Sequence, residues 1–570
     1  MDYGGPREID TVIVGMYRPV CPSMQEERTI KLIGLFFFST GNGPSALILS
    51  YILHGNIPLY DDASPHPDRF LHEKLLHRRH GDRDLLDLDI DDLTDHFAGS
   101  RFSYSTQALP VNVLLDTLVR PLGETDDTLK KTCVKWRHDP ARAIPHLVIG
   151  NTNSAGGQWV DNPVHASWDI GTLSYAGMIS LPGYSFEEHY HKKTGRPMPL
   201  YLRPSRRKVA DYLAAYADEV NIADSIHNRQ HIAGVRRHDK GFYISSHKIL
   251  CKNLVLASGI FNVLIPPPSI LDPLMQLSDA SGASPEPILV IGSGFSAADV
   301  IISTSRLQKI IHVYKWAPTT SPSPLRACHQ QAYPEYAGIY RRMKLAALSS
   351  SSSKDKRPRP SRVQSDFDTS RDWKSTYEGL ANAEIVDVQL TDDGSGAVVT
   401  FQIGDEPTFR RSVSSLAYVV GRRGSLDYLS EELLAEVLPT DAPRAISGQT
   451  LREKAHDDLE VAPSVFITGS LTGDSLIRFA YGGCAYAAGK VMRSRAHQTA
   501  GANGAAHDGN SDGNTNGNNK VPDSVPVRMR SRPQTPSPMV PAMNGLDGHE
   551  ASPLLLGDGQ MPLDRRKVED

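Results

Sequence analysis

Two glycine turns, each set between an apolar strand and a small-residue helix, constrain this chain more than any other feature. The first is Gly41-Asn42-Gly43-Pro44-Ser45-Ala46, whose helix reads on to Leu53; the second is Ile291-Gly292-Ser293-Gly294-Phe295-Ser296-Ala297. In such a turn the first glycine permits the tight bend and the second lets backbone approach a pyrophosphate. The helix then presents free N–H groups and its positive dipole end. About twenty residues past Gly41, after an expected strand Ile57–Tyr60, Asp61 stands where an acid takes the ribose hydroxyls of an adenosine. The plain alternative for Asp61 is a solvated turn residue. After the second turn the strand Ile310–Tyr314 ends in Lys315, with Arg326 further on. A cation there selects a 2′-phosphate, so NADPH is expected over NADH, against the alternative of an ordinary surface lysine. Two such units call for two dinucleotides, a flavin (FAD) and a nicotinamide (NADPH).

Three further segments fit this reading. Asn253–Gly259 is a buried strand running into a small-residue turn, suited to a return connection between two dinucleotide folds. Ser154-Ala155-Gly156-Gly157-Gln158-Trp159 combines close backbone approach with an aromatic that can pack on a cofactor. Val465–Asp474 is a strand leading into Gly473-Asp474, with a helix following. There an acid suits a ribityl chain, and a helix N-terminus stabilises charge on a reduced ring. Each segment alone is a tight turn in an α/β sheet; their order carries the argument. The expected fold class is therefore α/β, with two dinucleotide-binding, Rossmann-like domains.

The remaining sequence is divided accordingly. At roughly 150 residues per domain, 570 residues would suggest three or four units, yet hydrophobic residues make up only 39%. The deficit is local: Phe, Trp and Tyr are absent after Ala496, and Gly, Asn, Ser and Pro fill nearly half of 501–560. Such a segment buries too little apolar surface to offset its chain entropy, so 496–570 is expected to be a disordered tail open to protein partners. A serine-rich stretch, 349–365, reads as a disordered insertion. The expected domains are 1–284 (first part of the FAD fold), 285–430 (NADP fold) and 431–495 (rest of the FAD fold). The near balance of 61 Lys and Arg against 65 Asp and Glu argues against nucleic acid as a partner. The five cysteines stand far apart, in no CxxC pair, which disfavours a dithiol centre and makes a reducing, cytoplasmic location the default. No metal-ligand spacing occurs.

Leu32–Leu53 carries no charge and is long enough to cross a bilayer. Its centre, Ser39–Ser45, holds two glycines and a proline, so the run is expected to split into a strand-like half and a helix, with no stable membrane span. The same region holds an oddity. Ile9-Asp-Thr-Val-Ile-Val-Gly15 already reads as the first strand of a dinucleotide fold, ending on the required glycine. Joining Gly15 to Asn42 gives a complete strand, turn and helix. Gly15-Met16-Tyr17 back-translates to a splice-donor string, and Phe36–Gly41 to a pyrimidine tract closing in an acceptor. Residues 16–40 are thus either a translated intron or a genuine insertion.

The strings NGPSALILSYILHG, AIPHLVIG with GGQW, LVLASGIF, VIGSGFSAAD, YPEYAGIYRRM and GSLTGDSLIRFAYGG together resemble the oxidative stress-induced growth inhibitor family, a relative of flavin-containing and N-hydroxylating monooxygenases. The resemblance implies the flavoprotein monooxygenase arrangement of the two domains, with a role in oxidative stress and growth control. Carried over by position, Gly43, Gly157, Trp159, Gly473 and Asp474 would serve FAD, and Gly292, Gly294 and Ala297 would serve NADPH. Gly41, Pro44, Ser45, Asp61, Gln158, Ser296 and Lys315 complete the candidate set from the residues themselves. The implied reaction consumes NADPH and O₂ and passes one oxygen, through a flavin C4a-(hydro)peroxide, to nitrogen or sulfur of a small molecule or a protein side chain. The alternative is a regulatory protein that binds NADPH and FAD without turnover. No catalytic side chain stands out; His146, His165, His189 and His191 are the available proton donors, and structural roles are the expectation for them.

Overall fold

Short apolar runs ended by glycine or a polar turn form the central parallel strands of this protein. The computed structural model describes residues 7–14, 38–77, 84–102, 104–123, 131–162, 164–277, 286–350 and 366–505. In the first fold, β1 (Arg7–Val14), β2 (Phe38–Thr40), β5 (Leu147–Ile149), β6 (Ile226–His227) and β9 (Ile249–Leu256) share one sheet. The antiparallel pair β19 (Glu460–Ala462) and β20 (Val465–Ile467) joins it through β20, and the hairpin β7 (Val235–His238) and β8 (Gly241–Ile244) through β8. Its centre is parallel, from β6 through β5 and β9 to β20. Between β5 and β9 two segments register on the same partners. Val14 of β1 and Thr40 of β2 both pair with Ile149, and Val12 and Phe38 both pair with Leu254.

Helix α1 (Pro44–Leu53) leaves the turn and is buried all round, with Leu47, Ile48, Leu49, Ile52 and Leu53 at most 1% exposed. Each such side chain contributes about 1.5–3 kcal/mol, so α1 is held by burial rather than by capping. It lies among α2 (Pro110–Val119), α3 (Arg206–Glu219) and the C-terminal helix α6 (Ala480–Ala505) in one core. From Phe38, where its described part begins, the apolar run divides at Gly41 into strand and helix, as its glycines demand. Among the described residues no helix is long and apolar enough to cross a membrane.

The second fold is a parallel four-stranded sheet in the order β13 (Tyr377–Ala381), β12 (Ile310–Tyr314), β11 (Ile288–Ile291), β17 (Ser415–Tyr418). Helices α4 (Phe295–Ser303) and α5 (Pro334–Ser350) cover one face. An antiparallel sheet of β14 (Ala383–Leu390), β15 (Ala397–Ile403) and β16 (Phe409–Val413) packs on the other. The chain crosses between folds at β10 (Val263–Leu264) and β18 (Arg422–Arg423), which pair with each other. Leu271 and Leu274 already belong to the second core, so the crossing precedes residue 284. Helix α6 continues past 495 to Ala505, whereas most of the expected insertion (351–365) and of the tail (506–570) lies outside the described residues.

Candidate cofactor site

At the first turn Gly41 adopts φ +130°, a backbone that favours glycine, and its N–H donates to the Ile149 carbonyl at 2.9 Å. Asn42 is 1% exposed and ties the turn to the loop after β5. Its Nδ2 donates to the Ser154 carbonyl (3.0 Å), its Oδ1 accepts from Thr152 (2.7 Å), and its carbonyl accepts from Gly156 N–H (2.6 Å). Gly157 lies against the same turn, where a Cβ would stand 3.0 Å from Gly43 Cα. A Cβ on Gly469 would meet Ser45 Oγ at 2.3 Å. The strand-end segment Ser258–Ile260 is also brought in, with Ile260 N–H donating to Ser470 Oγ at 3.3 Å. Segments spread over more than 400 residues thus converge on the N-terminus of α1.

Gly43 differs from these neighbours. Its φ of −78° and ψ of 177° are open to any residue, and a Cβ there would meet nothing within 4 Å. The helix it begins has no side-chain cap, no acid in its first turn, and Pro44 at its start. Unsatisfied N–H groups and a positive dipole end therefore face free space.

Asp474 is already engaged by protein donors. Its Oδ2 accepts from Leu109 N–H (2.9 Å) and Asn112 Nδ2 (2.6 Å), and its Oδ1 from Arg452 (2.5 Å). A carboxylate has about four lone-pair sites, so one is left for a ligand. The helix beyond it begins at Ala480, after a short turn at Ile477–Phe479. Gln158 and Trp159 are held through their carbonyls by Arg206 at the start of α3. Burial pulls that guanidinium down to about 10, and burial pushes the facing Asp299 carboxyl on α4 up to about 6 although Arg206 draws it down. Tyr336 donates to Asp299 at 2.8 Å.

The second turn repeats the first. Gly292 has φ +149°, its N–H donates to Val313, and a Cβ would fall 2.5 Å from the Val419 carbonyl. The buried His312 donates from Nε2 to the Gly292 carbonyl (2.7 Å) and accepts at Nδ1 from Tyr377 (2.9 Å). Gly294, at φ −102°, begins α4 uncapped, and the only atom near its missing Cβ is Pro324 Cγ at 3.9 Å. Ser296 and Ala297 follow in the first turn of α4. Lys315 is exposed at the end of β12, the strand that lies beside β11, and so stands at the expected position.

No family model matches this chain. Over 500 residues it is 24% identical to oxidative stress-induced growth inhibitor 1 of Mus musculus, covering 80% of this chain and 94% of that protein. The resemblance is to the oxidative stress-induced growth inhibitor family. A Caenorhabditis elegans homolog is 24% identical over 511 residues, 81% of this chain and 94% of that one. Solved structures similar to it include a flavin-containing monooxygenase from Stenotrophomonas maltophilia (14% identical, TM-score 0.39, 62% of this chain and 93% of that one). A bacillithiol disulfide reductase from Staphylococcus aureus is also similar (14%, TM-score 0.38, 63% and 92%). The strings that carry the growth-inhibitor resemblance include those that meet at the first turn.

One site expectation is overturned. Asp61 ends β3 (Asn56–Tyr60), but β3 pairs antiparallel with β4 (Val134–His138) outside the main sheet. Its carboxylate lies 3.5 Å from Lys135 Nζ. The strand beside the first position is β5, which is followed by Gly150, where a Cβ would strike Asn42. An acid has no room there. The next residue, Asn151, has a buried Oδ1 with no hydrogen-bond partner among the described residues, and Thr468 Oγ1, at the end of β20, is likewise buried and unpaired. Neither was singled out from sequence; the signal for Asn151 was that Leu147–Ile149, rather than Ile57–Tyr60, leads into Gly156-Gly157-Gln158-Trp159.

Of the candidate proton donors, His146 and His189 are built into the core and His191 is solvated. His146 is buried, accepts from Ser50 Oγ (2.8 Å), donates to the Ile144 carbonyl (2.7 Å), and is pushed down to about 3 by burial. His189 packs among Tyr184, Phe186 and Tyr212, and His191 is exposed. The side chain of His165 lies outside the described residues.

Proposed function

We propose that this chain is an FAD-binding, NADPH-consuming oxidoreductase of the monooxygenase type, acting on a nitrogen or sulfur nucleophile. The observation that carries the reading is the pair Gly43 and Gly294. Each begins a helix in a backbone conformation that any residue can adopt and has room for a Cβ, with nothing within 4 Å at Gly43 and Pro324 Cγ at an unstrained 3.9 Å at Gly294. The polypeptide does not need glycine at these two points, whereas the approach of a pyrophosphate does.

In this reading the N-termini of α1 and α4 bind the two pyrophosphates. Asn151 Oδ1 takes a ribose hydroxyl of FAD, and Lys315 takes the 2′-phosphate of NADPH. When bound, FAD supplies hydride acceptance from NADPH and activation of O₂ for oxygen transfer. The protein orients the two rings and excludes water around them. A dithiol reaction is disfavoured, because the cysteines stand far apart in the sequence with no CxxC pair and the described Cys133, Cys251 and Cys484 are buried. Burial also pushes the Cys328 thiol up to about 11 and Cys484 further still, away from reactive thiolate.

The experiment is a visible spectrum of purified protein, followed by NADPH oxidation under air with candidate amines and thiols and mass analysis of the product. A flavin band, NADPH oxidation and a product heavier by one oxygen are expected. Protein that binds neither FAD nor NADPH overturns the reading. Binding without oxidation supports the regulatory alternative.

A further inference from the structure

The doubled register beside β9 separates two forms of this protein. Val12 and Phe38 both pair with Leu254, Ile13 and Ser39 both with Val255, and Val14 and Thr40 both with Ile149. Adjacent strands lie about 4.8 Å apart, so β5 and β9 admit one strand between them. The three coincidences share one offset of 26 positions, and that offset carries Gly15 onto Gly41. The sheet therefore specifies, independently of the glycine motif, the join that the motif suggests: Val14, one glycine, then Asn42.

The two strands bring different assets to the position. β1 offers Val-Ile-Val and a long ladder reaching down to Arg7 opposite Ile249, which suits a central parallel strand covered on both faces. β2 offers Phe-Ser-Thr over three residues, yet it alone is attached directly to Gly41 and α1. In the longer chain β1 can fill the position only by giving up the short connection to α1. β2 can fill it only by displacing the better strand.

We propose that the more stable and more flavin-retentive form of this protein lacks residues 16–41, and that the form retaining them is a weakened state in which two strands contend for one position behind an intact turn. The splice-like strings at Gly15 and Gly41 indicate how both forms would arise from one gene. The flavin part of this inference rests on the function proposed above; the strand part does not.

The test compares the two full-length chains, with and without 16–41, by thermal melting without added FAD and by flavin content as purified. The shorter chain is expected to melt several degrees higher and to hold at least fivefold more flavin. Equal melting temperatures, or a shorter chain that fails to fold beside a folded longer one, overturn the inference. A shorter chain that is more stable but binds no FAD upholds the strand contest and sinks the flavin function instead. Ile13→Lys gives a second check, because it should destabilise the shorter chain strongly and the longer chain less, β2 standing in for the damaged strand. Equal damage in both overturns the contest. Transcript reads with uniform coverage across the codons for 16–41, and none skipping them, overturn the splicing part.

Discussion

The two dinucleotide folds are built from the same parts, yet only the second keeps its parts in sequence order. There β11, the glycine turn, α4 and β12 follow one another directly, and β12 lies beside β11. In the first fold the strand beside the first position is β5, and about ninety residues, including β3, β4 and α2, separate it from α1. That excursion takes Asp61 away from the site. A local motif foretells a neighbour only when the chain returns to the sheet at once. The contrast is sharpest at the first strand, single in the second fold and doubly claimed in the first.

The largest effect is expected where glycine is required by the backbone. Gly292→Ala would force a Cβ onto the Val419 carbonyl at a φ of +149°. The expected cost is about 3 kcal/mol or more in urea denaturation, with loss of NADPH binding. A loss under about 1 kcal/mol would show that the second turn is less constrained than its geometry requires.

Next come the buried histidines that steady each fold. His312→Ala leaves the Gly292 carbonyl and the Tyr377 hydroxyl without their partner, and His146→Ala does the same to Ser50. Each should cost about 2–4 kcal/mol from unpaired groups and a cavity. Burial pushes His312 down to about 4 and His146 to about 3. The unfolded chain takes up these protons below about pH 6.5 while the folded chain refuses them, so stability should fall as pH drops from about 6.5 toward 4. Each variant should flatten that slope; an unchanged pH profile in both would remove the histidines from the account.

A different signature is expected where glycine is required by a ligand. Gly43→Ala and Gly294→Ala should leave stability within about 1 kcal/mol, or raise it slightly, since neither backbone nor space objects. Affinity should nevertheless fall at least about tenfold, for FAD in the first case and NADPH in the second, equivalent to about 1.4 kcal/mol. Titration of each cofactor beside a denaturation curve separates the two effects. If Gly43→Ala unfolds the protein without touching FAD affinity, the first turn is structural and its likeness to the second ends there.

Both glycine turns, the helix after each, the strand Ile310–Tyr314 and the split of the apolar run were readable from residue order, because each is set by neighbours within about a dozen positions. What escaped was set at long range. Asp474 reads as a ligand residue after a glycine, but the N–H of Leu109 and the amide of Asn112, more than 360 positions away, take most of its capacity. Asn151 looks like a loop residue until its unpaired buried oxygen marks it. Gly150 excludes an acid because Asn42 fills the space, a fact of packing that no spacing rule contains.

The smallest effects test that difference residue by residue. Lys315→Ala should reduce the preference for NADPH over NADH by about fivefold, since one exposed charge-assisted contact contributes about 1 kcal/mol. Asn151→Ala should weaken FAD binding by a similar factor, the value of one hydrogen bond. Asp61→Ala should change neither, because its strand lies outside the sheet and its 3.5 Å pairing with Lys135 is a surface ion pair contributing at most about 1 kcal/mol. Measured together, the three place the ribose contact of each fold. If Asp61→Ala lowers FAD affinity while Asn151→Ala does not, the first fold takes its ribose at the end of β3 after all. The two folds would then follow one rule of sequence order despite their different sheets.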